Sequence, residues 1–154
     1  MIELRQKTIE ITGDPVAKGR GRAVNTPGGA RVITPEKTRR WEADARMEAR
    51  RQMDGEDPLE NPLFIVIQVT IAPPKSWPKW KREAALDGYI PHASKPDIDN
   101  VVKAAMDALN GIVYLDDALV FRVDARKFWG TRPGVMVRAT EVPTISSKEE
   151  YKNL

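Results

Sequence analysis

The ten residues Leu63 to Ala72, LFIVIQVTIA, constrain this 154-residue chain more than any other stretch. They are apolar and rich in β-branched side chains, which lose little freedom in extended backbone and pack well on a pleated surface. The run predicts a strand near the centre of a sheet. Ile9 to Thr12 close a first short strand, and Leu119 to Phe128 and Val135 to Thr140 read as two more. Those last two are expected to form a hairpin turning at Arg132-Pro133-Gly134. A further hairpin tip is expected at Gly28-Gly29. Helical stretches are interspersed with the strands. One helix should run from about Pro35 to Met53, with Thr34 as N-cap, Pro35 at the first helical position, and a weak stripe of Trp41, Ala45, Glu48 and Ala49. A short helix should end at Gly88, and YIPHASKP (89–96) reads as a loop. The expected fold class is α/β (α+β): a single domain over residues 1–154, with a small mixed β-sheet flanked by helices and a frayed tail from about residue 142.

With 41% apolar residues the chain can bury a core, and with 31% charged residues much of its surface must be solvated. It has no cysteine, which excludes disulfides and thiolate metal sites and suits a reducing cytosol. Its one histidine, His92, leaves histidine-based zinc sites and serine triads poorly supplied, and a solvated loop position is expected for it. No apolar run reaches membrane-spanning length, and the first residues, MIELRQKTIEI, alternate like a strand rather than forming a signal-peptide core.

Lys and Arg outnumber Asp and Glu by only 25 to 22, a formal charge of +3. The excess is informative because it is clustered. From Asp14 to Arg40 there are seven basic residues against two acids, including Lys18, Arg20 and Arg22 in K-G-R-G-R. Lys75, Lys79, Lys81 and Arg82 form a second cluster, interleaved with Trp77 and Trp80 and containing no acid. Both stretches are candidate phosphate contacts. The tryptophans suit base stacking or, more commonly for this residue type, core packing.

Against this basic background, residues 95–117 (KPDIDNVVKAAMDALNGIVYLDD) gather acidic residues around one element. Ile98, Val101, Val102, Ala105, Leu109 and Ile112 recur at spacings of three and four, the pattern of a buried helix face. Asn110-Gly111 is a C-terminal stop. A purely structural account is available: Asp97 caps the helix, Asp99 favours its positive end and pairs with Lys103 at i+4, and Asp116-Asp117 are turn residues. A chemical account is available too. If the chain folds back after Gly111, the two acidic pairs converge, and clustered carboxylates repel unless a cation neutralises them. Mg²⁺ prefers such oxygen donors and supports phosphodiester hydrolysis, with Lys103 placed to face the phosphate. An EF-hand loop is excluded, because Val101 and Val102 stand at its fifth and sixth positions, where a ligand and a glycine belong. The phosphatase pattern D-x-D-x-[TV] is matched literally by Asp97, Asp99 and Val101, but this segment follows a loop rather than a hydrophobic strand.

The combined pattern P-D-x-D-N, then Lys103, then D-A-L-N-G and D-D, resembles the signature of the RusA-type Holliday junction resolvases, many of them phage or prophage encoded. Asp97, Asp99, Asn100, Lys103, Asp107, Asn110, Gly111, Asp116 and Asp117 match it. The likeness is strong from 95 to 120 and looser across 9 to 140. It implies a Mg²⁺-dependent endodeoxyribonuclease (Mn²⁺ substituting) that nicks four-way junctions symmetrically as a homodimer in the bacterial cytosol. It assigns Asp97, Asp99 and Asp117 as acidic metal ligands and Lys103 as the essential lysine. Asp116 is a further candidate ligand, while Asp107 and Asn110 are left to structure. Two rivals remain: a metal nuclease of the same fold acting on other branched or flap DNA, and a non-catalytic basic DNA-binding protein. No membrane association is expected in any of the three.

Overall fold

The computed structural model describes residues 3–19 and 21–154. Strand β4 (Leu63–Ile71) organises it. Leu63, Ile65, Ile67 and Val69 point to one face and have no exposed surface, while Phe64, Val66, Gln68 and Thr70 point to the other and are half-buried. Two strands flank it: β5 (Val120–Trp129), which runs parallel to it, and β6 (Gly134–Glu141), which runs antiparallel. Strand β1 (Gln6–Thr12) pairs antiparallel with the far side of β6, giving the order β1-β6-β4-β5. A separate two-stranded ribbon, β2 (Arg22–Thr26) and β3 (Gly29–Ile33), turns just before Gly29, as the Gly28-Gly29 pair predicts.

The predicted hairpin between the last two strands is not formed, because β4 lies between them. The most apolar strand gains most by pairing on both edges, so it takes the interior position and β5 and β6 arch over its end. Gly130 permits the arch: its N–H donates to the Ile71 carbonyl at 3.0 Å, and any side chain there would strike Thr70.

Two helices cover the inward sheet face. Helix α1 (Glu36–Met53) buries Thr38, Trp41, Ala45, Ala49 and Met53. Helix α3 (Ile98–Leu109) buries Val101, Ala104, Ala105, Ala108 and Leu109. The alanines let the two helices lie against each other as well as on the sheet. For the same reason the buried face of α3 is centred on Ala104 and Ala108 rather than on Ile98 and Val102, which are only half-buried. The N-cap position of α1 is Pro35 and not Thr34, and no side chain caps it. Helix α2 (Lys79–Leu86) is short and mostly exposed. The tail expected to fray carries a short exposed helix, α4 (Lys148–Lys152), started by a capping box between Ser147 and Glu150.

The far ends of the sheet are tied by Glu141, whose side chain is buried at the close of β6. Its carboxylate accepts the main-chain N–H of Arg5 at 2.9 Å and of Glu60 at 3.1 Å, with Asn61 at 3.5 Å. Burial by itself pushes this carboxyl up, but the converging N–H donors outweigh it and hold it below the usual glutamate range. A depressed folded value means that the stabilisation is present above the unfolded value of about 4.3 and is lost as pH falls through the folded one. Glu141→Gln is therefore expected to lose about 1–3 kcal/mol at pH 7. The gap between wild type and variant should close on acidification, when wild-type Glu141 is itself neutral. Urea midpoints measured in a series from pH 7 downward check both statements.

Candidate active site

The acidic segment begins at the Lys95-Pro96 step, which is a cis peptide, and Asp97 occupies the N-cap position of α3 in extended backbone. Its side chain makes no capping hydrogen bond. Asp99, one position into the first turn, is exposed. Among the described residues neither carboxylate has an ion-pair or hydrogen-bond partner. The structural account of these two residues thus fails in its details. Asp97 does not cap, and Asp99 does not pair with Lys103.

Lys103 instead reaches forward to Asp107, at 3.1 Å. Asp107 is the more recessed partner and is held from the other side by Lys18, also at 3.1 Å. The Lys18 ammonium lies between Asp107 and Glu42 of α1, the latter at 2.7 Å, so one cation ties α1 to α3. The Lys18 N–H also donates to the Asn100 carbonyl at 2.9 Å. The Glu42 contact, opposed by partial burial and reinforced by Asp107, holds the Lys18 ammonium above the usual lysine value. Partial burial raises the Asp107 carboxyl, but Lys103 and Lys18 together bring it below the ordinary aspartate range.

After α3 the chain turns back at Gly111, which takes a positive φ of 78°. Tyr114 anchors the return: fully buried, it donates its hydroxyl to the Met106 carbonyl at 2.6 Å and accepts the Gly111 N–H at 2.8 Å. Leu59 holds the same strap through its main chain, donating to Val113 at 2.8 Å and accepting from Leu115 at 3.0 Å. This fold-back brings the second acidic pair beside α3. The two members of that pair then diverge. Asp116 caps a single 3₁₀ turn (Asp117–Leu119), accepting the Ala118 N–H at 3.0 Å, and this contact lowers its pKa. Asp117 lies against Asp116, and that contact, desolvation and the nearby charges of Asp116 and Asp107 raise its pKa, with Lys103 opposing.

Asp99, Lys103, Asp107 and Asp117 open together onto a cavity of about 430 Å³. Val102 and Met106 of α3 and Val123 and Ala125 of β5 supply its apolar wall. Asp97 and Asp116 are not on that wall. Among the described residues no three acidic or histidine side chains are gathered closely enough to form a ready-made metal cage. The donors that do face the cavity still fit Mg²⁺, which commonly takes one or two carboxylates and completes its shell with waters and substrate phosphate oxygens. The carboxylate crowding that raises Asp117 is of the kind a cation relieves.

The predicted DNA contacts separate into groups. Lys18 is turned inward as described, and Arg20 lies outside the described residues. Arg22, Lys75, Lys79 and Arg82 are exposed, Lys79 with Glu83 at 3.8 Å. Lys81 is half-buried, its ammonium 4.1 Å above the Trp77 ring. Trp77 in turn packs edge-on against Trp129 at 5.0 Å, whereas Trp80 is exposed. His92, expected to be solvated, is buried with its ring 4.2 Å from that of Trp129. Burial, then the nearby charge of Lys127, keeps it below the ordinary histidine value. The sequence reading missed Lys127, Glu42, and a set of arginines (Arg122, Arg126 and Arg138) around a cavity on the uncovered sheet face. Lys127 carries a legible signal: in β5 it shares the inward-facing alternation of Val123, Ala125 and Trp129, an anomalous place for a lysine.

Residues 12–140 match the family model described as Endodeoxyribonuclease RusA. The chain belongs to this family. The match includes the whole acidic segment and the fold-back that carries its second pair. A curated relative from Bacillus subtilis (strain 168), "Uncharacterized protein YqaN", is 34% identical over 134 residues, covering 86% of this chain and 94% of its own. No helix among the described residues is long and apolar enough to cross a membrane.

Within this RusA-family site, Lys18 is expected to act on stability rather than on DNA. Lys18→Met should cost roughly 1–2 kcal/mol, as it leaves Glu42 and Asp107 half-buried with one cation fewer. A phosphate contact would contribute about 0.9 to the slope of log affinity against log salt on duplex arms. That slope should not change in Lys18→Met, as fluorescence anisotropy across a salt series would show.

Proposed function

We propose that the protein is a Mg²⁺-dependent endodeoxyribonuclease that resolves four-way DNA junctions by paired symmetric nicks, acting as a homodimer. The observation that carries this reading is the shared cavity of Asp99, Lys103 and Asp117, contributed by two chain segments that the Gly111–Tyr114 fold-back brings together. Membership of an endodeoxyribonuclease family supports the reaction class.

In this proposal Asp99 and Asp117 would hold the ion, and Asp97, off the cavity wall at the leading end of α3, is a further candidate donor. Mn²⁺ is expected to substitute. When bound, Mg²⁺ supplies a Lewis acid that lowers the pKa of water and offsets charge on the leaving oxygen. The apolar wall of Val102, Val123 and Ala125 limits water around the reacting phosphate and strengthens the electrostatics there. Lys103, on an exposed part of α3, exchanges its contact with Asp107 for the scissile phosphate and stabilises its added negative charge. Asp107 then keeps Lys18 as its partner, so the exchange does not strand a recessed carboxylate. The oxygen of water bonds to phosphorus as the P–O bond to the leaving oxygen breaks. The proton lost by the water is matched, through solvent, by one gained on the leaving oxygen, so the nick ends in one phosphate and one hydroxyl. Two nicks placed symmetrically call for two equivalent sites, which a two-fold dimer presents. Exposed Arg22, Lys75, Lys79 and Arg82 contribute to holding the arms.

A synthetic four-way junction, with linear duplex and flap controls, tests the reading in the presence and absence of Mg²⁺. Symmetric cuts confined to the junction are expected. Equal cutting of flaps or duplex would favour a broader branched-DNA nuclease, and junction binding without cutting in Mg²⁺ or Mn²⁺ would favour a non-catalytic DNA-binding protein. Asp99→Asn and Asp117→Asn should each lower the cleavage rate by at least about a hundredfold while retaining junction affinity, since each removes a negative charge facing phosphate. Lys103→Ala should lower kcat by roughly ten- to a hundredfold with little change in affinity. Normal cutting by Asp99→Asn would overturn the metal-site assignment.

A further inference from the structure

Lys127 occupies an inward-facing position on β5, opposite Val69 of the fully buried β4 face. A lysine there is costly unless its ammonium is satisfied. Among the described residues it has no carboxylate partner. Its Nζ donates instead to two main-chain carbonyls of the α2–α3 loop, Ser94 at 2.7 Å and Pro96 at 3.1 Å. Two residues further along the same strand face, Trp129 packs on the buried His92 ring at 4.2 Å. Residues 92, 94 and 96 of the loop are thus held by two neighbouring side chains of one strand. The preceding residue on that face, Ala125, forms part of the wall of the acidic cavity.

We propose that Lys127 is a positioning residue that sets the leading end of α3, and with it Asp97 and Asp99, for cleavage. The inference rests on the nuclease reading above. The Pro96 carbonyl belongs to the peptide unit that joins Pro96 to Asp97, so fixing that oxygen fixes the plane from which Asp97 and the first turn of α3 depart. Asp97 makes no capping bond of its own, so the helix start lacks the side-chain lock that an N-cap aspartate ordinarily supplies. Lys127 takes over that role from the strand beside it. The same strand then forms the cavity wall and orients the loop that leads through Asp97 into the first turn of α3, where Asp99 faces the cavity, tying both to one rigid element. A displacement of about 1 Å at reacting groups can cost about a hundredfold in rate.

Lys127→Met and Lys127→Gln test this, with Lys127→Arg as the conservative variant, because a guanidinium can still donate to two carbonyls. Three quantities are read: kcat and KM for junction cleavage, junction affinity in metal-free buffer, and amide hydrogen exchange across residues 94–101. Met and Gln variants are expected to lose roughly ten- to a hundredfold in kcat, with affinity within about threefold. Exchange should quicken at least about tenfold at Val101, whose N–H donates to the Asp97 carbonyl, with β4 and β6 unchanged. Lys127→Arg should recover most of both losses. Wild-type kcat in the Met and Gln variants, or weakened affinity at unchanged kcat, would overturn the proposal, the second result marking Lys127 as a DNA contact. Faster exchange throughout the sheet would overturn it as well, marking a general structural role. If wild-type protein fails to cut any junction, the nuclease reading falls, while the exchange measurement still decides whether Lys127 holds the loop.

Discussion

Leu63, Ile65, Ile67 and Val69 have no exposed surface, and the burial of that one face of β4 governs the rest of the molecule. It requires partners on both edges, which places β5 and β6 on either side, and a covering layer, which α1 and α3 supply. Because α3 must lie on this face, its first turn comes to rest beside the inward-facing residues of β5. The cavity is therefore bounded by a helix and a strand that the core holds, rather than by loops alone. Small residues at Ala45, Ala49, Ala104 and Ala108 let the helices sit close enough to share one face.

The charges around α3 are sorted by what each can reach. Asp107 is recessed and takes two lysines, one of them a strut to Glu42 on α1. Asp116 is absorbed by the N–H of Ala118. Asp97 and Asp99 keep carboxylates that no described neighbour claims, and Asp117 is pressed toward the protonated state by its own neighbours. A chain with a slight positive excess thus leaves the unpaired carboxylate of Asp99 and the crowded one of Asp117 on one cavity, with Asp97 unpaired at the leading end of α3. Crowded carboxylates of this kind cost stability in isolation, and a bound cation would offset that cost.

Part of this was legible. The spacing of Val101, Ala105 and Leu109 marked α3, Asn110-Gly111 marked its end, and the P-D-x-D-N and D-D pairs marked the acids. Other elements were not. Val135 to Thr140 reads as a natural hairpin partner for the preceding strand, and nothing local says that β4 will separate them. Lys18 reads as a basic residue in a glycine-rich segment, but its partners Glu42 and Asp107 are distant in sequence. His92 sits in a polar loop and is buried only because Trp129, from another strand, closes over it. Lys127 broke the inward alternation of β5, yet its purpose depends on carbonyls 31 and 33 residues away.

Local sequence was enough to give the type of the main elements, the helical period of Val101, Ala105 and Leu109, and the set of acids available, because these follow from short-range backbone preference and from spacing along one element. Tertiary structure alone decided the strand order, the pairing of Lys103 with Asp107 instead of Asp99, and the division of the acids into Asp99 and Asp117 on the cavity and Asp97 and Asp116 off it. Those outcomes depend on which surfaces compete for burial and on which charges the packed core brings within a few ångströms. Neither quantity is carried by any local stretch of residues.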